Sequence, residues 1–382
     1  MYHLQFVFSA AGFILLTLFV ASQYPESWKK NRMFIAVLAV WHLIGMFCLT
    51  AVFAAYRFIP FEGIKYEIDR IATFYYITIM LLFWFYFFHL AFSMAHRFIR
   101  NQRKNPGGQE EQTPWYKDKR FHAILFTVLA FGICTVGYFR IDFLEETRYE
   151  VRVMKPSAEK ELNICLLADI HAGAGNWSFL YDNVAEMINR TDPDVILIGG
   201  DVFDETTTEK DVEYVSRMIR SIPKPEYGMY YVYGNHDNAV DKWAGRQMES
   251  MGVTVLEDEK VLLGSDIQLI GRKDSGSERL ETDELAEKLQ IDQTKPVIVL
   301  THRPREFRRM GELGFDLAMA GHTHGFNIPQ FMGANLFEDM YYGRKEYGGM
   351  TAITTSGVSA WGFHYKFPAV SEIVSIHVIF EE

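Results

Sequence analysis

The stretch Leu162-Asn163-Ile164-Cys165-Leu166-Leu167-Ala168-Asp169-Ile170-His171 is an apolar run that stops at an acid and an imidazole. Leu162–Ala168 has the length of a buried strand, and its polar end has the make-up of a site. The same form recurs down the chain. Val195–Ile198 leads to Gly200-Asp201-Val202-Phe203-Asp204, and Tyr230–Tyr233 to Gly234-Asn235-His236-Asp237. Val297–Leu300 leads to Thr301-His302, and Leu317–Ala320 to Gly321-His322-Thr323-His324. Phe179–Asn189 and Asp211–Ile219 read as amphipathic helices between them, and Tyr149–Met154 alternates as a further strand. Strands alternating with helices predict an α/β domain whose site gathers at strand carboxyl ends.

Outward from this core the chain splits by composition. Residues 1–140 are dominated by long runs of Phe, Leu, Ile, Ala, Tyr and Trp, whereas 141–382 read as one soluble domain able to bury its own core. Lys+Arg against Asp+Glu is 14 to 7 in the first part (net +7) and 24 to 41 in the second (net -17), which sum to the formal -10. So acidic a domain repels a polyanion, which makes nucleic acid an unfavourable partner; any phosphate needs a local positive centre. Cys48, Cys134 and Cys165 lie in apolar surroundings and make no disulfide framework.

Four apolar stretches, about His3–Ser22, Met33–Tyr56, Ile71–Phe92 and Phe121–Tyr138, approach the roughly 20 residues that cross a bilayer as a helix. The first lacks a basic leading region and is followed by three more, so it reads as a span and not as a cleaved signal. Loop one carries Lys29, Lys30 and Arg32 against Glu26. Loop three carries Arg97, Arg100, Arg103, Lys104, Lys117, Lys119 and Arg120 against three acids. Loop two balances Arg57, Lys65 and Arg70 with Glu62, Glu67 and Asp69. The positive-inside bias then predicts an integral plasma-membrane protein with its soluble domain outside, provided that Phe121–Tyr138 crosses. His42 and His89 are the imidazoles well inside the spans and read as helix–helix contacts. The span centres lack Asp, Lys and Arg, which favours an anchor over a transporter. Asn101–Trp115 reads as a flexible cytoplasmic loop.

Five of the seven histidines beyond residue 140 fall in the strand-end clusters. Asp169 and His171, two apart, are expected to point the same way off one strand. Glycines before Asp201, Asn235 and His322 let the backbone turn closely around something small. Carboxylate, amide carbonyl and imidazole without Cys suit Mn, Fe or Zn in an expanded shell better than a closed structural zinc site. Taken singly, Asp169 reads as a cap or turn residue and His322 and His324 as surface histidines. Taken together, they read as a metal site.

The series D-x-H, GDxxD, GNHD, a lone His and GHTH, in that order over about Leu162–Asn327, resembles the calcineurin-like metallophosphoesterase superfamily, most closely its membrane-associated bacterial branch. The resemblance implies a four-layer α/β/β/α sandwich holding two divalent metal ions. Asp169, His171 and His324 would hold the first, Asn235, His302 and His322 the second, and Asp201 would bridge both. His236 would be the non-ligand residue nearest the scissile phosphate, with Asp204 and Asp237 orienting the imidazoles. Two dications, two carboxylates and one bridging hydroxide sum to a charge of about +1, the local positive centre that an acidic domain needs. The implied activity is metal-dependent hydrolysis of a phosphomonoester, phosphodiester or lipid-linked pyrophosphate by that hydroxide. The lipid-linked substrate is argued from tethering at the bilayer. The alternative is a catalytically silent metal-binding sensor or protein-interaction module, and the oligomeric state stays open. Gly325-Phe326-Asn327 and Ala172-Gly173-Ala174 depart from the residues common in close relatives, which bears on the substrate pocket. Arg303 is either a phosphate contact or a surface ion pair, and His364 and His377 read as structural. Asn176-Trp177-Ser178 and Asn189-Arg190-Thr191 fit the glycosylation sequon without supporting context.

Overall fold

The computed structural model describes residues 2–51, 62–102, 118–173, 178–237, 242–274, 278–327, 338–361 and 364–381. Arg57, nearly all of the expected loop 101–115, Ala174 and the Asn176-Trp177 pair lie outside the described residues. The chain divides into two compact units, Met1–Val136 and Gly137–Glu382.

The first unit comprises helices α1 (Tyr2–Gln23), α2 (Glu26–Lys29), α3 (Arg32–Thr50), α4 (Glu62–Gln102) and α5 (Lys119–Arg140), the last running four residues into the second. Among the described residues, three segments are long and apolar enough to cross a bilayer: Arg32–Thr50, Ile64–His96 and Lys119–Arg140. The count is three and not the expected four; the first stretch enters only through Gly12–Gln23, among the shorter apolar helices. A second correction concerns loop two. Lys65, Glu67, Asp69 and Arg70 belong to the 41-residue helix α4, with Asp69 and Arg70 buried. No Pro or Gly interrupts the chain from Ile64 to Gln102, so the helix runs through charges that end a hydropathy window. Asn31 starts α3 by accepting from Met33 N and Phe34 N at 2.9 and 3.2 Å. His42 Nδ1 lies 2.9 Å from the Tyr75 hydroxyl, and the His89 and His122 rings are 3.9 Å apart. Both imidazoles therefore meet a neighbouring helix.

The second unit runs β1 (Leu144–Val153), β2 (Glu161–Leu167), α6 (Ser178–Thr191), β3 (Val195–Ile198), α7 (Glu209–Ser221), β4 (Met229–Tyr231) and α8 (Trp243–Ser250). It continues through β5 (Thr254–Val255), β6 (Glu259–Leu263), β7 (Ile267–Gly271), α9 (Thr282–Lys288), β8 (Val297–Leu300), α10 (Phe307–Glu312) and β9 (Leu317–Ala320). Strands β10 (Gly343–Tyr347), β11 (Met350–Thr354) and β12 (Ser371–Phe380) complete it. The strands form two six-stranded mixed sheets, in the orders β1-β12-β2-β3-β4-β5 and β10-β11-β9-β8-β7-β6. Parallel runs β2-β3-β4-β5 and β11-β9-β8-β7 make their centres.

Strand alternation explains why these runs are apolar throughout. Leu162, Ile164 and Leu166 of β2 share one buried cluster with Ile298 and Leu300 of β8 and Leu317 and Met319 of β9. The intervening Cys165 and Leu167 pack with Val184 of α6 and Met218 of α7. Val299 and Ala318 pack likewise with Leu285 of α9 and Met310 of α10. Both faces of the central strands are buried, so neither tolerates polar residues. Helix α7 begins two residues before the expected start because Thr208 and Asp211 form a reciprocal capping box.

Removing side-chain bulk between the sheets should cost far more than removing it outside. Leu166→Ala is expected to destabilise by about 2–5 kcal/mol, and Leu262→Ala, at a half-exposed position, by under about 0.5 kcal/mol. Denaturant melts of the two variants beside the parent protein check this.

Candidate metal centre

Each central strand delivers polar side chains just past its carboxyl end: Asp169 and His171 after β2, Asp201 after β3, Asn235 and His236 after β4, His302 after β8, and His322 and His324 after β9. They meet in two groups. Donor atoms of Asp169, His171 and His324 lie within 4.8 Å of one another, as do those of Asp201, His302 and His322. Asp201 Oδ2 is 3.7 Å from His171 Nε2 and 3.2 Å from His302 Nε2, so one carboxylate touches both groups. Asn235 Oδ1 reaches the second group, 3.0 Å from His302 Nε2. The seven residues expected to bind metal are therefore adjacent. All but Asn235 and His322 are buried.

The backbone that presents them is unusual. Asp169, His171, Asp201, His322 and His324 have φ of 54, 45, 51, 70 and 49°, the left-handed region. Each such residue costs about 1–2 kcal/mol unless its surroundings compensate. Compensation is visible as hydrogen bonds. Asp169 N donates to Gly200 O and His171 N to Asp201 O, both at 3.0 Å, and Ala172 N to Val202 O at 2.8 Å. His322 N donates to Asp169 Oδ2 at 3.0 Å. Asp169 and His171 do converge, but β2 has ended at Leu167, so consecutive left-handed turns align them and not the strand pleat. Glycine is required where backbone approaches these carboxylates. A Cβ on Gly234 would sit 2.1 Å from Asp201 Oδ1, and one on Gly321 would sit 2.5 Å from Asp169 Oδ2.

The two expected supporting acids separate. Asp204 Oδ2 lies 3.6 Å from His171 Nδ1, while its Oδ1 accepts from Thr206 N at 2.7 Å. Asp237 does not orient an imidazole among the described residues. Its carboxylate accepts from the backbone N–H of Asp201, Phe203 and Gly234 at 2.5, 2.9 and 2.9 Å. The expectation is corrected for a physical reason: the left-handed turn at Asp201 frees amides that only a buried acceptor can satisfy.

Electrostatics divide the donors. Burial raises the Asp169 carboxyl. Burial also acts on Asp201, but His302 and His171 outweigh it and hold this carboxyl far below its ordinary range. His302 is pushed up to about 10 because the Asp201 carboxylate overcomes burial. His322 is pushed down to about 2 by burial and the neighbouring His302, and burial with His171 lowers His324. Asp237 is raised to about 6 by burial and the Asp201 charge. His324 Nδ1 is buried with no hydrogen-bond partner among the described residues. Buried oxygen and nitrogen donors that face one another, one of them orphaned, are the arrangement that borderline divalent cations satisfy. The residues fit such ions.

Several residues that the motifs did not indicate complete the surroundings. Glu205 Oε2 is 3.1 Å from His236 Nδ1, and the Trp361 ring lies 4.7 Å from that imidazole. Glu338 Oε1 is 3.7 Å from His322 Nε2, with Arg305 donating to both of its oxygens at 2.8 and 2.9 Å. Lys366, fully buried, donates through Nζ to the carbonyls of Ser356, Gly357 and Val370 at 2.6, 2.6 and 3.0 Å. That strapped segment abuts the site, because Val358 N donates to Ala168 O and Ser359 N to Asp169 O. Glu205 adjoins the GDxxD pattern and could have been suspected. Trp361 and Lys366 carried no signal. Arg303 pairs with Asp274 at 3.0 Å, His364 with Asp142 at 2.9 Å and His377 with Glu161 at 3.1 Å. The departure at Asn327 has a cause: its amide donates to Tyr365 O at 2.6 Å and accepts from Phe367 N at 2.9 Å.

Comparison with known proteins agrees with this geometry. Residues 162–326 match the family described as calcineurin-like phosphoesterase. An uncharacterised metallophosphoesterase of Helicobacter pylori is 29% identical over 66% of this chain and 70% of its own. A transmembrane protein with a metallophosphoesterase domain from Danio rerio is 27% identical over 59% of this chain and 55% of its own. A phosphodiesterase of Escherichia coli is 26% identical over 62% of this chain and 89% of its own.

Asp237→Ala should leave three buried amides unsatisfied at about 1–3 kcal/mol each before relaxation. The expected outcome is loss of several kcal/mol of stability in metal-free protein, read by denaturant melts. A loss no greater than that of a surface substitution would show that those amides find other partners.

Proposed function

We propose, with residues 162–326 as a calcineurin-like phosphoesterase domain, that this chain is a membrane-anchored, two-metal phosphoesterase. The observation that carries the reading is the pair of three-donor groups joined through Asp201. Asp169, His171 and His324 would hold one ion, Asn235, His302 and His322 the other, with Asp201 between them. When bound, the ions would lower the pKa of water from 15.7 towards about 7 and offset the charge of a phosphoester. The chain's own residues do the rest. Asp204 steadies the His171 ring. His236 stands at the open side of the centre, its backbone N–H bound to Asp201 Oδ1 at 2.7 Å, and holds a proton for the leaving oxygen. The cluster shared by both sheets, with helices packed beyond each, supports a four-layer α/β/β/α arrangement.

The apolar helices suit tethering at a bilayer, and a phosphoester or pyrophosphate on a lipid is a substrate that tethering favours. Loop charge supports a soluble domain outside the cytoplasm. Protease added to sealed right-side-out vesicles should then release a fragment of the acidic domain. Protection until the vesicles are opened would reverse the orientation.

Activity is tested with detergent-solubilised full-length protein on aryl phosphomonoesters and phosphodiesters, with Mn, Zn, Fe or no added metal. The expected result is metal-dependent turnover, lost together with bound metal in Asp201→Ala and lost in Asn235→Ala/His236→Ala. Metal binding without hydrolysis of any ester would transfer the assignment to a sensor or interaction module.

A further inference from the structure

Next to the metal groups, three residues from separate segments close around one ring. Glu205 follows β3, His236 follows β4 and Trp361 follows β11. His236 Nδ1 lies 3.1 Å from Glu205 Oε2, and Trp361 Nε1 donates to the other oxygen, Oε1, at 3.3 Å. The Trp361 ring lies against the imidazole, with centroids 4.7 Å apart and planes 36° apart. His171 meets the same imidazole edge to face, with centroids 5.1 Å apart. An ionised carboxylate can only accept, so Nδ1 carries the hydrogen of its contact with Glu205. Nε2, across the ring, is then the nitrogen turned away from Glu205.

We infer that Glu205 and Trp361 form a bracket that positions His236. The inference deepens the phosphoesterase reading and rests on it. Asp204 faces His171 and Asp237 faces backbone amides, so neither competes for His236. Trp361 contributes twice: its N–H steadies the Glu205 carboxylate, and its ring limits rotation of the imidazole. Both bracket residues are exposed, so the bracket stands on the solvent-facing side of the buried metal groups. In the reaction, hydroxide adds to phosphorus and the P–O bond to the leaving group breaks. The Nε2 proton of His236 goes to that oxygen, which departs as an alcohol. The imidazole is left neutral, with its Nδ1–H still on Glu205. Glu205 and Trp361 are positioning residues, since neither exchanges an atom with substrate.

A positioned proton donor matters most when the leaving oxygen is basic. The test compares phenyl and p-nitrophenyl esters, using full-length protein in detergent with the metal that supports turnover. Glu205→Gln should lower kcat about 10–100-fold on the phenyl ester and much less on the p-nitrophenyl ester. KM and bound metal per chain should be unchanged. Glu205→Asp should recover part of the loss, and Trp361→Phe, which keeps the ring but not the N–H, should fall between. A second readout needs neither substrate nor metal. In protein labelled with 15N-histidine, the ring signal that His236→Asn removes should shift in both Glu205→Gln and Trp361→Phe. Equal losses on the two esters, or a His236 signal identical to that of the parent in both variants, would overturn the bracket. If the parent hydrolyses no ester, the phosphoesterase reading fails, and the ring signal still decides whether Glu205 and Trp361 hold His236.

Discussion

Everything at the centre of the second unit depends on keeping the Asp201 carboxylate ionised where water does not reach. Burial of such a charge is costly, and here it is offset by His302 and His171, while Asp237 holds the backbone of the same turn. The contacts reinforce one another. Asp237 fixes the turn, the turn aims Asp201, and Gly234 gives Asp201 room against the neighbouring loop. Strands β2, β3 and β4 of one sheet and β8 of the other must end together for this to work. The sheets are in effect a frame for one anion.

The frame was largely legible from residue order. Val195–Ile198, Val297–Leu300 and Leu317–Ala320 have the bounds read from their apolar runs, because strands buried on both faces leave no polar residue to blur an edge. The ligand-type residues were legible for the same reason: acids and imidazoles crowded at the end of such a run stand out against its apolar background. What carried no signal was contact between distant segments. Trp361 and Lys366 reach the site from the C-terminal part of the chain, and no spacing rule connects them to Glu205 or Asp169. Asp237 was misjudged because its type was visible and its task was not. A carboxylate that accepts from three amides looks in sequence like one that accepts from an imidazole.

The membrane half failed in the opposite way. Hydropathy sees where apolar residues are dense, whereas a helix ends where its backbone bonding ends. Helix α4 continues through Asp69 and Arg70 because nothing from Ile64 onward breaks it, and both charges are buried. The result is a helix of 41 residues where a span of about half that length was expected.

The strand order of the first sheet has a consequence for how the protein is made. Strand β12, which follows the other named strands along the chain, lies between β1 and β2, pairing with both. The strand that directly follows α5 therefore has no neighbour on that side until β12 has been made. Lys366 and the strap over Asp169 arrive in the same final stretch. A nascent chain holds its helices early and its closed site only once β12 has emerged, so a chain cut before β12 lacks the strand that seals the sheet. Closure of the first sheet waits on a strand encoded far from the two strands that it joins.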